Sequence, residues 1–237
     1  MTNLLIATRN AHKVIEIRDI LGEQFRYLTL DAFPEAPAVV EDAASFAGNA
    51  TKKAVHLAKW LMSLPAERAV AAGNPAGKAA PAHFILADDS GLEVDALSGA
   101  PGVHSARFAA LDTGASGNSP TAENNAKLLR LLQGVPLEKR TARFRCALAL
   151  TPVLEPGPIS ASPTCYADEL ELQTELFEGS CEGRIELAPR GLCGFGYDPL
   201  FVPDGYKQTF GELPERIKNQ LSHRAQALEK LRQRLER

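Results

Sequence analysis

The sequence predicts an α/β protein in which a mixed, elongated sheet is flanked by helices and two lobes enclose a central cleft. The first observation is an apolar run at Leu4–Ala7 that passes through a polar turn into a helix with an apolar stripe. The second is a long alternation of apolar and polar residues at Thr141–Leu150, which is typical of a half-buried strand. The third is that segments with apolar residues at helical spacing lie between such strands, and helices of this kind pack against a sheet.

The N-terminal elements are a strand at Leu4–Ala7 and a helix that Asn10 can cap and Gly22 ends. A second helix is predicted from about residue 49 to residue 62. The inward faces carry apolar residues at helical spacing: Val14, Ile17, Ile20 and Leu21 in the first helix, and Ala54, Val55, Ala58 and Leu61 in the second.

The middle of the chain begins with a stretch rich in Ala, Gly and Pro at residues 66–82, interpreted as a surface insertion rather than a domain boundary. A buried strand at Phe84–Ala87 follows it. A further helix is expected to run to Leu132, with Thr121 as its N-cap and Gly134 beyond its end.

The C-terminal part contains two alternating segments that predict an antiparallel ribbon, joined by a Pro- and Gly-containing loop at residues 152–163. The residues predicted to face the core are Ala142, Phe144, Cys146, Leu148 and Leu150 in the first strand, and Leu170, Leu172 and Leu176 in the second. A final helix places Ala225, Leu228, Leu231 and Leu235 inward.

The length of 237 residues allows one large domain or two small lobes, and we expect residues 1–237 to form a single two-lobed domain. Hydrophobic residues make up 45% and charged residues 23% of the chain, and the net charge of −3 argues against a nucleic-acid polymer as partner. No apolar run approaches the ~20 residues that span a membrane. The start is neither a signal peptide nor an anchor, and four cysteines without CxxC spacing indicate reduced thiols in a cytoplasmic protein.

The segment TRNAHK, Thr8–Lys13, gathers Arg9, His12 and Lys13 at a helix start. Cations are unfavourable there because the macrodipole already makes that end positive, but a bound polyanion reverses this effect. Phosphate could be held by backbone N–H groups, Lys13 and the side chains of Thr8 and Asn10. The alternative is a capped surface helix with solvated cations, and the loop is not a Walker A motif.

The segment ADDSG, Ala87–Gly91, places two aspartates directly after the predicted strand. Neighbouring side chains at a strand end point in opposite directions, so one carboxylate can face a cleft while the other holds a backbone group. Mg²⁺ prefers one or two carboxylates together with phosphate oxygens. The alternative is an Asx turn that ends the strand.

The segment GLCGFGYDP, Gly191–Pro199, interleaves three glycines with Phe195 and Tyr197. Glycines let the backbone approach a ligand, and an aromatic ring between them can stack on a base. The alternative is a tight turn whose aromatic rings lie in the core. Cys193 beside these glycines is a poor candidate for a nucleophile, because no histidine partner can be identified.

The segment IKNQLSHR brings Lys218, His223 and Arg224 to the start of the final helix, which Ser222 could cap. Cations again stand where the helix dipole disfavours them, and this repetition favours an anionic or carbonyl ligand. The alternative is an ordinary His-Arg pair on the surface. Arg107 is a further candidate, as a positioning residue.

The chain resembles the inosine triphosphate pyrophosphatase family, also called HAM1-like proteins. The resemblance rests on these segments in this order: TRNAHKVIEI, FILADDSGLEVDALSGAPGVHSARFA, ENNAKLL, CEGRIELAPRGLCGFGYDPLF, TFGEL and LSHRAQAL. It spans nearly the whole chain except the 66–82 insertion and the 152–163 loop.

The resemblance implies a two-lobed homodimer that hydrolyses ITP, dITP and XTP to the nucleoside monophosphate and pyrophosphate with Mg²⁺, cleansing the nucleotide pool. It implies that Asp89 is the catalytic proton acceptor and a metal contact. The substrate-binding residues would be Thr8, Arg9, Asn10, Ala11, His12, Lys13, Ser90, Phe195, Gly196, Tyr197, Asp198, Lys218, His223 and Arg224.

The sequence departs from the family pattern at two places. Arg9 stands where the family often has a small residue. Val40 stands at the position of a metal-binding glutamate, with Glu41 next to it. We therefore expect either that Glu41 replaces the missing glutamate as a metal ligand beside Asp89 or that metal binding depends more heavily on Asp89.

The mechanism expected from this resemblance is in-line attack of water on the α-phosphorus, with Asp89 orienting or deprotonating the water. Lys218 and Arg224 would offer donors to a 6-oxo purine and leave adenine without acceptors. Two alternatives are a Maf-type pyrophosphatase with other nucleotide substrates and a nucleotide-binding module without catalysis. TRNAHK does not match the Ser- and Arg-rich loop of the Maf type.

Overall fold

The structure, a computed structural model, describes residues 1–65, 81–154 and 169–236. Its strands form a six-stranded sheet in the order β2-β1-β3-β4-β5-β6. Strand β1 is parallel to β2 and β3, whereas β5 and β6 are antiparallel, so the sheet is mixed as predicted. The strands are β1 Thr2–Ile6, β2 Phe25–Thr29, β3 Phe84–Val94, β4 Thr141–Pro152, β5 Glu175–Ile185 and β6 Phe201–Pro203.

The helices of the described residues accompany this sheet and confirm the α/β class. They are α1 Ala11–Leu21, α2 Phe46–Ser63, α3 Thr121–Leu131, α4 Glu169–Leu172, α5 Glu215–Leu221 and α6 His223–Leu235, with short 3-10 helices such as Gly102–Arg107 between them. None of the helices described is long and apolar enough to cross a membrane.

The chain divides into two compact units. One consists of residues 1–89, 147–177 and 236, and the other of residues 90–146 and 178–235. Strands β3 and β4 contribute residues to both units. The central cleft and the homodimer stay predictions.

In the first unit, the β1–α1 connection forms as its local sequence predicts. Asn10 is the N-cap of α1, and Gly22 follows the helix at φ +74°, a conformation that glycine adopts without strain. Helix α2 begins at Phe46, earlier than predicted, because the Ser45 hydroxyl accepts a hydrogen bond from Gly48 N at 3.1 Å. Its four predicted apolar residues are all buried.

Strand β3 does not end at Ala87, and the interpretation of ADDSG as an Asx turn is wrong. The strand continues through both aspartates, Ser90 and Gly91 to Val94. Two features explain why the strand continues past Ala87. The downstream residues Leu92 and Val94 are fully buried, and both carboxylates find partners on helices rather than in a turn.

In the second unit, a core of apolar residues supports the functional loops. Phe144 belongs to this core, and its ring centroid lies 4.7 Å from that of Phe201 and 6.0 Å from that of Phe210. The core includes Leu92, Val94, Phe108, Leu128, Leu132, Ala142, Cys181, Ile185, Tyr197, Leu200 and Leu213.

Two local predictions are wrong, one in each unit. Thr121 is the first residue of α3 rather than its cap, since Pro120 occupies the N-cap position without a side-chain hydrogen bond. The predicted strand around Leu170 begins instead as the short helix α4, because Thr174 Oγ1 donates to Leu170 O at 2.6 Å. Leu172, at the end of this helix, is 69% exposed, and Leu176, in β5, is 48% exposed, although both were predicted to face the core.

Some sequence predictions lie outside the described residues. They are the insertion from residue 66 to residue 80, the loop from residue 155 to residue 163, and Cys165. The other three cysteines are free thiols, of which Cys146 and Cys181 are buried and Cys193 is exposed.

Candidate active site

The TRNAHK segment joins β1 to α1 in the first unit and is held by its own side chains. Thr8 Oγ1 accepts a hydrogen bond from Asn10 N at 3.2 Å. The side-chain oxygen of Asn10 accepts from His12 N at 3.0 Å and from Lys13 N at 3.4 Å. The amides of His12 and Lys13 are therefore occupied by the cap and are not open donors, contrary to expectation.

The basic side chains of Arg9 and Lys13 have different partners. The Lys13 ammonium forms an ion pair with Asp88 of β3. The guanidinium of Arg9 donates to Ala36 O at 3.1 Å, and the residue is exposed. Ala11 and His12 are exposed in the first turn of α1.

Asp89 is held by two residues of helix α2. Asn49 Nδ2 donates to Oδ2 of Asp89 at 3.0 Å, and Lys53 Nζ lies 3.5 Å from Oδ1. Asn49 and Lys53 are four residues apart, so they lie on one face of the helix. Lys53 also donates to the backbone oxygen of Asp88 at 2.7 Å.

Burial raises the pKa of the Asp89 carboxyl above its usual value, because desolvation disfavours the charged form. The ammonium groups of Lys53 and Lys13 and the Asn49 hydrogen bond lower that pKa, and Glu41 raises it. The net shift is upward. A carboxylate with such a pKa is a better proton acceptor than an exposed one.

Glu41 rather than Val40 faces this cluster. Oε2 of Glu41 lies 3.4 Å from the Lys53 ammonium, whereas Val40 is 72% exposed. Two carboxylates, Glu41 and Asp89, thus flank one cation. This donor set fits a divalent ion that takes its remaining ligands from phosphate and water. Within the ranges described, no group of three or more His, Cys, Asp or Glu residues forms a complete metal cage.

In the second unit, Asp198 organises the glycine-rich segment. Its Oδ2 accepts from Lys218 Nζ at 2.7 Å and from Phe195 N at 2.8 Å. Gly194 is at φ +75°, and a Cβ there would lie 2.1 Å from the same carboxylate oxygen, so this position requires glycine.

The two aromatic residues of GFGYD have different environments. Tyr197 is buried, donates its hydroxyl to Ser105 O at 2.8 Å and has its pKa raised by burial. It is therefore a core residue rather than a stacking surface. Phe195 is half-buried, and the Lys218 ammonium lies 4.9 Å from its ring centroid.

The start of α6 brings further predicted residues to the same cluster. Ser222 Oγ accepts from Ala225 N at 3.2 Å, which confirms the predicted cap. Arg224 is buried, donates to Ser90 Oγ at 2.9 Å and lies 5.8 Å from the Phe195 centroid. The His223 ring stacks on Phe144 at 4.8 Å, so its position is set by the core.

Three residues of these clusters were not predicted from the sequence. Asn49 and Lys53 interrupt the apolar stripe of α2 at a spacing of four, and that interruption is the signal that could have identified them. Asn125 of α3 donates to Gly196 O at 3.2 Å. Arg107 is the last residue of the 3-10 helix Gly102–Arg107 and is half-buried.

Comparisons with known proteins cover almost the whole chain. The sequence profile of the Ham1 family matches residues 4–234. A protein of Desulforamulus reducens named dITP/XTP pyrophosphatase is 44% identical over 228 residues, or 96% of this chain and 92% of its own. A protein of the same name from Shouchella clausii is 39% identical over 236 residues, or 100% of this chain and 98% of its own.

The fold gives the same result. The solved structure of a HAM1 protein from Coxiella burnetii matches with a TM-score of 0.71 and 31% sequence identity, covering 100% of this chain and 99% of that chain. Profile, sequence relatives and solved structure agree over nearly the full length, and the chain belongs to the Ham1 family.

Proposed function

We propose that the protein hydrolyses ITP, dITP and XTP to the nucleoside monophosphate and pyrophosphate. The observation that carries this proposal is Asp89, a buried carboxylate whose pKa is raised and whose two oxygens have different partners. Family membership and the names of the relatives support the same reaction class.

The chemical step is attack of water on the α-phosphorus. The water oxygen forms a bond to phosphorus, the bond from phosphorus to the α–β bridging oxygen breaks, and pyrophosphate leaves with that oxygen. Asp89 accepts the water proton. Oδ2 accepts the Asn49 amide at 3.0 Å, whereas the Lys53 ammonium is 3.5 Å from Oδ1, so Oδ1 is the oxygen assigned to the proton.

The triphosphate is assigned to the cations of the first unit. Lys13 exchanges its ion pair with Asp88 for phosphate oxygens, and Lys53 lies beside the reacting carboxylate. The fixed turn of Thr8 and Asn10 holds the start of α1, whose positive end favours an anion.

Glu41 and Asp89 would hold Mg²⁺ in this proposal. When bound, the ion would neutralise phosphate charge and stabilise the leaving pyrophosphate. The Lys53 ammonium lies 3.4 Å from Glu41 and 3.5 Å from Asp89, which supports the assignment of positive charge to this pair of carboxylates.

The base is assigned to the cluster of the second unit. Phe195 provides a ring for stacking, and Arg224 and Lys218 provide donors. Hypoxanthine and xanthine present an oxygen at position 6, whereas adenine presents an amino group. Adenine would leave buried donors without acceptors, at a cost of about 1–3 kcal/mol for each lost bond.

One assay tests the reaction and its alternatives. Pyrophosphate release is measured with Mg²⁺ from ITP, XTP, GTP, ATP and pyrimidine triphosphates, for the wild type, Asp89→Asn and the exposed control Asp19→Asn. We expect turnover of ITP and XTP that Asp89→Asn removes and the control retains. Preference for other nucleotides would favour a Maf-type enzyme, and tight binding without turnover would favour a binding module.

A further inference from the structure

Asn49 is a fully buried polar residue in the first turn of α2, with 0% exposure. Both ends of its amide are occupied. Nδ2 donates to Asp89 Oδ2 at 3.0 Å, and Oδ1 accepts from Ala43 N at 2.9 Å. One side chain thus connects the proposed proton acceptor to the segment that precedes α2.

The orientation of this amide is determined by its partners. A carboxylate only accepts and a backbone N–H only donates, so the amide nitrogen must face Asp89 and the amide oxygen must face Ala43. A flipped amide would oppose two oxygens at one end and two donors at the other. Asn49 is therefore a bridge with one permitted geometry.

The segment fixed by this bridge carries Glu41, two residues before Ala43. It packs closely on the helix, since a Cβ at Gly48 would lie 2.9 Å from the Ala43 side chain. One turn further along α2, Lys53 contacts both Glu41 and Asp89. Asn49 and Lys53 together thus tie both carboxylates to a single helix face.

We propose that Asn49 is a positioning residue that fixes the Asp89 carboxylate and the Glu41 segment in one arrangement. This inference rests on the proposed function insofar as Asp89 accepts the water proton. Asn49 acts through Asp89 and is not assigned to substrate. Its loss consequently affects the chemical step, while nucleotide affinity depends on Lys13 and on the base cluster.

Three variants test this role by steady-state kinetics with ITP. Asn49→Ala removes both hydrogen bonds, and we expect kcat to fall about 10- to 100-fold with KM within about twofold. Asn49→Asp keeps the acceptor for Ala43 but places a carboxylate against Asp89, so kcat should fall at least as far. Val55→Ala, a buried apolar truncation on the same helix, should lower stability and leave kcat unchanged.

A second measurement requires no turnover. Hydrogen exchange of the Ala43 amide, followed by NMR in protein free of substrate, should accelerate at least tenfold in Asn49→Ala relative to Val55→Ala. In Asn49→Asp it should stay near the wild-type rate, because that bond persists.

The outcomes separate this inference from the proposed function. The positioning role would be overturned by an Asn49→Ala variant that keeps wild-type kcat. It would also be overturned if Asn49→Ala lowered kcat no more than Val55→Ala does for the same loss of stability. Unchanged exchange at Ala43 would overturn the bridge. Absence of ITP turnover in the wild type would refute the proposed function, and the exchange experiment would still decide the bridge.

Discussion

The Lys218 ammonium lies 2.7 Å from Oδ2 of Asp198, and the two side chains are only 6% and 4% exposed. The same oxygen accepts the amide of Phe195 at 2.8 Å. A single buried ion pair therefore holds the ring that we assign to base stacking and one of the donors beside it.

Breaking this pair from one side should be costly. Lys218→Met leaves the Asp198 carboxylate buried without its cation, and we expect a loss of about 3–5 kcal/mol in the free energy of unfolding. The double variant Lys218→Met with Asp198→Asn should be more stable than Lys218→Met alone, because no charge is left uncompensated. Urea denaturation of the four proteins of this cycle measures the coupling, and additive losses would contradict it.

Asp89→Asn should stabilise the protein as it inactivates it. Because the folded-state pKa of Asp89 is raised, the folded protein binds the proton more tightly than the unfolded chain does. That contribution is present below the unfolded pKa and is lost as pH rises through the folded pKa. The variant should therefore match the wild type in acid and exceed it increasingly toward neutral pH.

The measurement is denaturant unfolding from pH 4 to pH 8 in a chelating buffer that removes divalent ions. The exposed variant Asp19→Asn serves as the control for a change of net charge. A stability difference that does not depend on pH would show that desolvation of Asp89 is not its cause.

Arg140 should be a structural clamp for the end of α3. Its buried guanidinium donates to Leu132 O at 2.8 Å, Val135 O at 2.9 Å and Glu186 O at 3.3 Å. Arg140→Ala should cost about 2–4 kcal/mol of unfolding free energy, since three carbonyls each lose a bond of roughly 1 kcal/mol. The exposed neighbour Lys139→Ala should cost little, and equal effects of the two variants would refute the clamp.

The sequence predicted best those features that neighbouring residues determine. The Asn10 cap, the end of α1 at Gly22 and the Ser222 cap of α6 depend on residues within a few positions of one another. Strand β3 was predicted too short, because DDSG locally favours a turn while the partners of its carboxylates lie on α1 and α2. Such distant partners cannot be identified from local propensity.

In the candidate site, too, features set by neighbouring residues were predicted and those set by distant residues were not. Asp89 was identifiable from its motif, but its two partners on α2, Asn49 and Lys53, lie 40 and 36 residues away in sequence. The exposure of Leu172 was missed for a related reason: alternation of leucines over a short stretch fits both a strand and a helical turn.

Gly179 of β5 should set base selectivity through the position of α6. A Cβ at Gly179 would lie 2.0 Å from His223 O and 2.9 Å from Ala227 N, so the first turn of α6 rests directly on the strand backbone. Gly179→Ala must displace that turn. Because Arg224 belongs to it, we expect the ratio of kcat/KM for ITP over ATP to fall about tenfold.

Gly183 provides a matched control on the same strand. A Cβ there would lie 2.2 Å from Val202 O, so the clash with a backbone carbonyl is comparable, but the neighbour is β6 rather than α6. Both variants should lower the melting temperature, and only Gly179→Ala should change the ITP to ATP ratio. Equal ITP to ATP ratios in the two variants would mean that the packing of α6 on β5 does not control base recognition. A change of the ratio in Gly179→Ala alone would assign that control to Gly179, a residue that we do not assign to substrate binding.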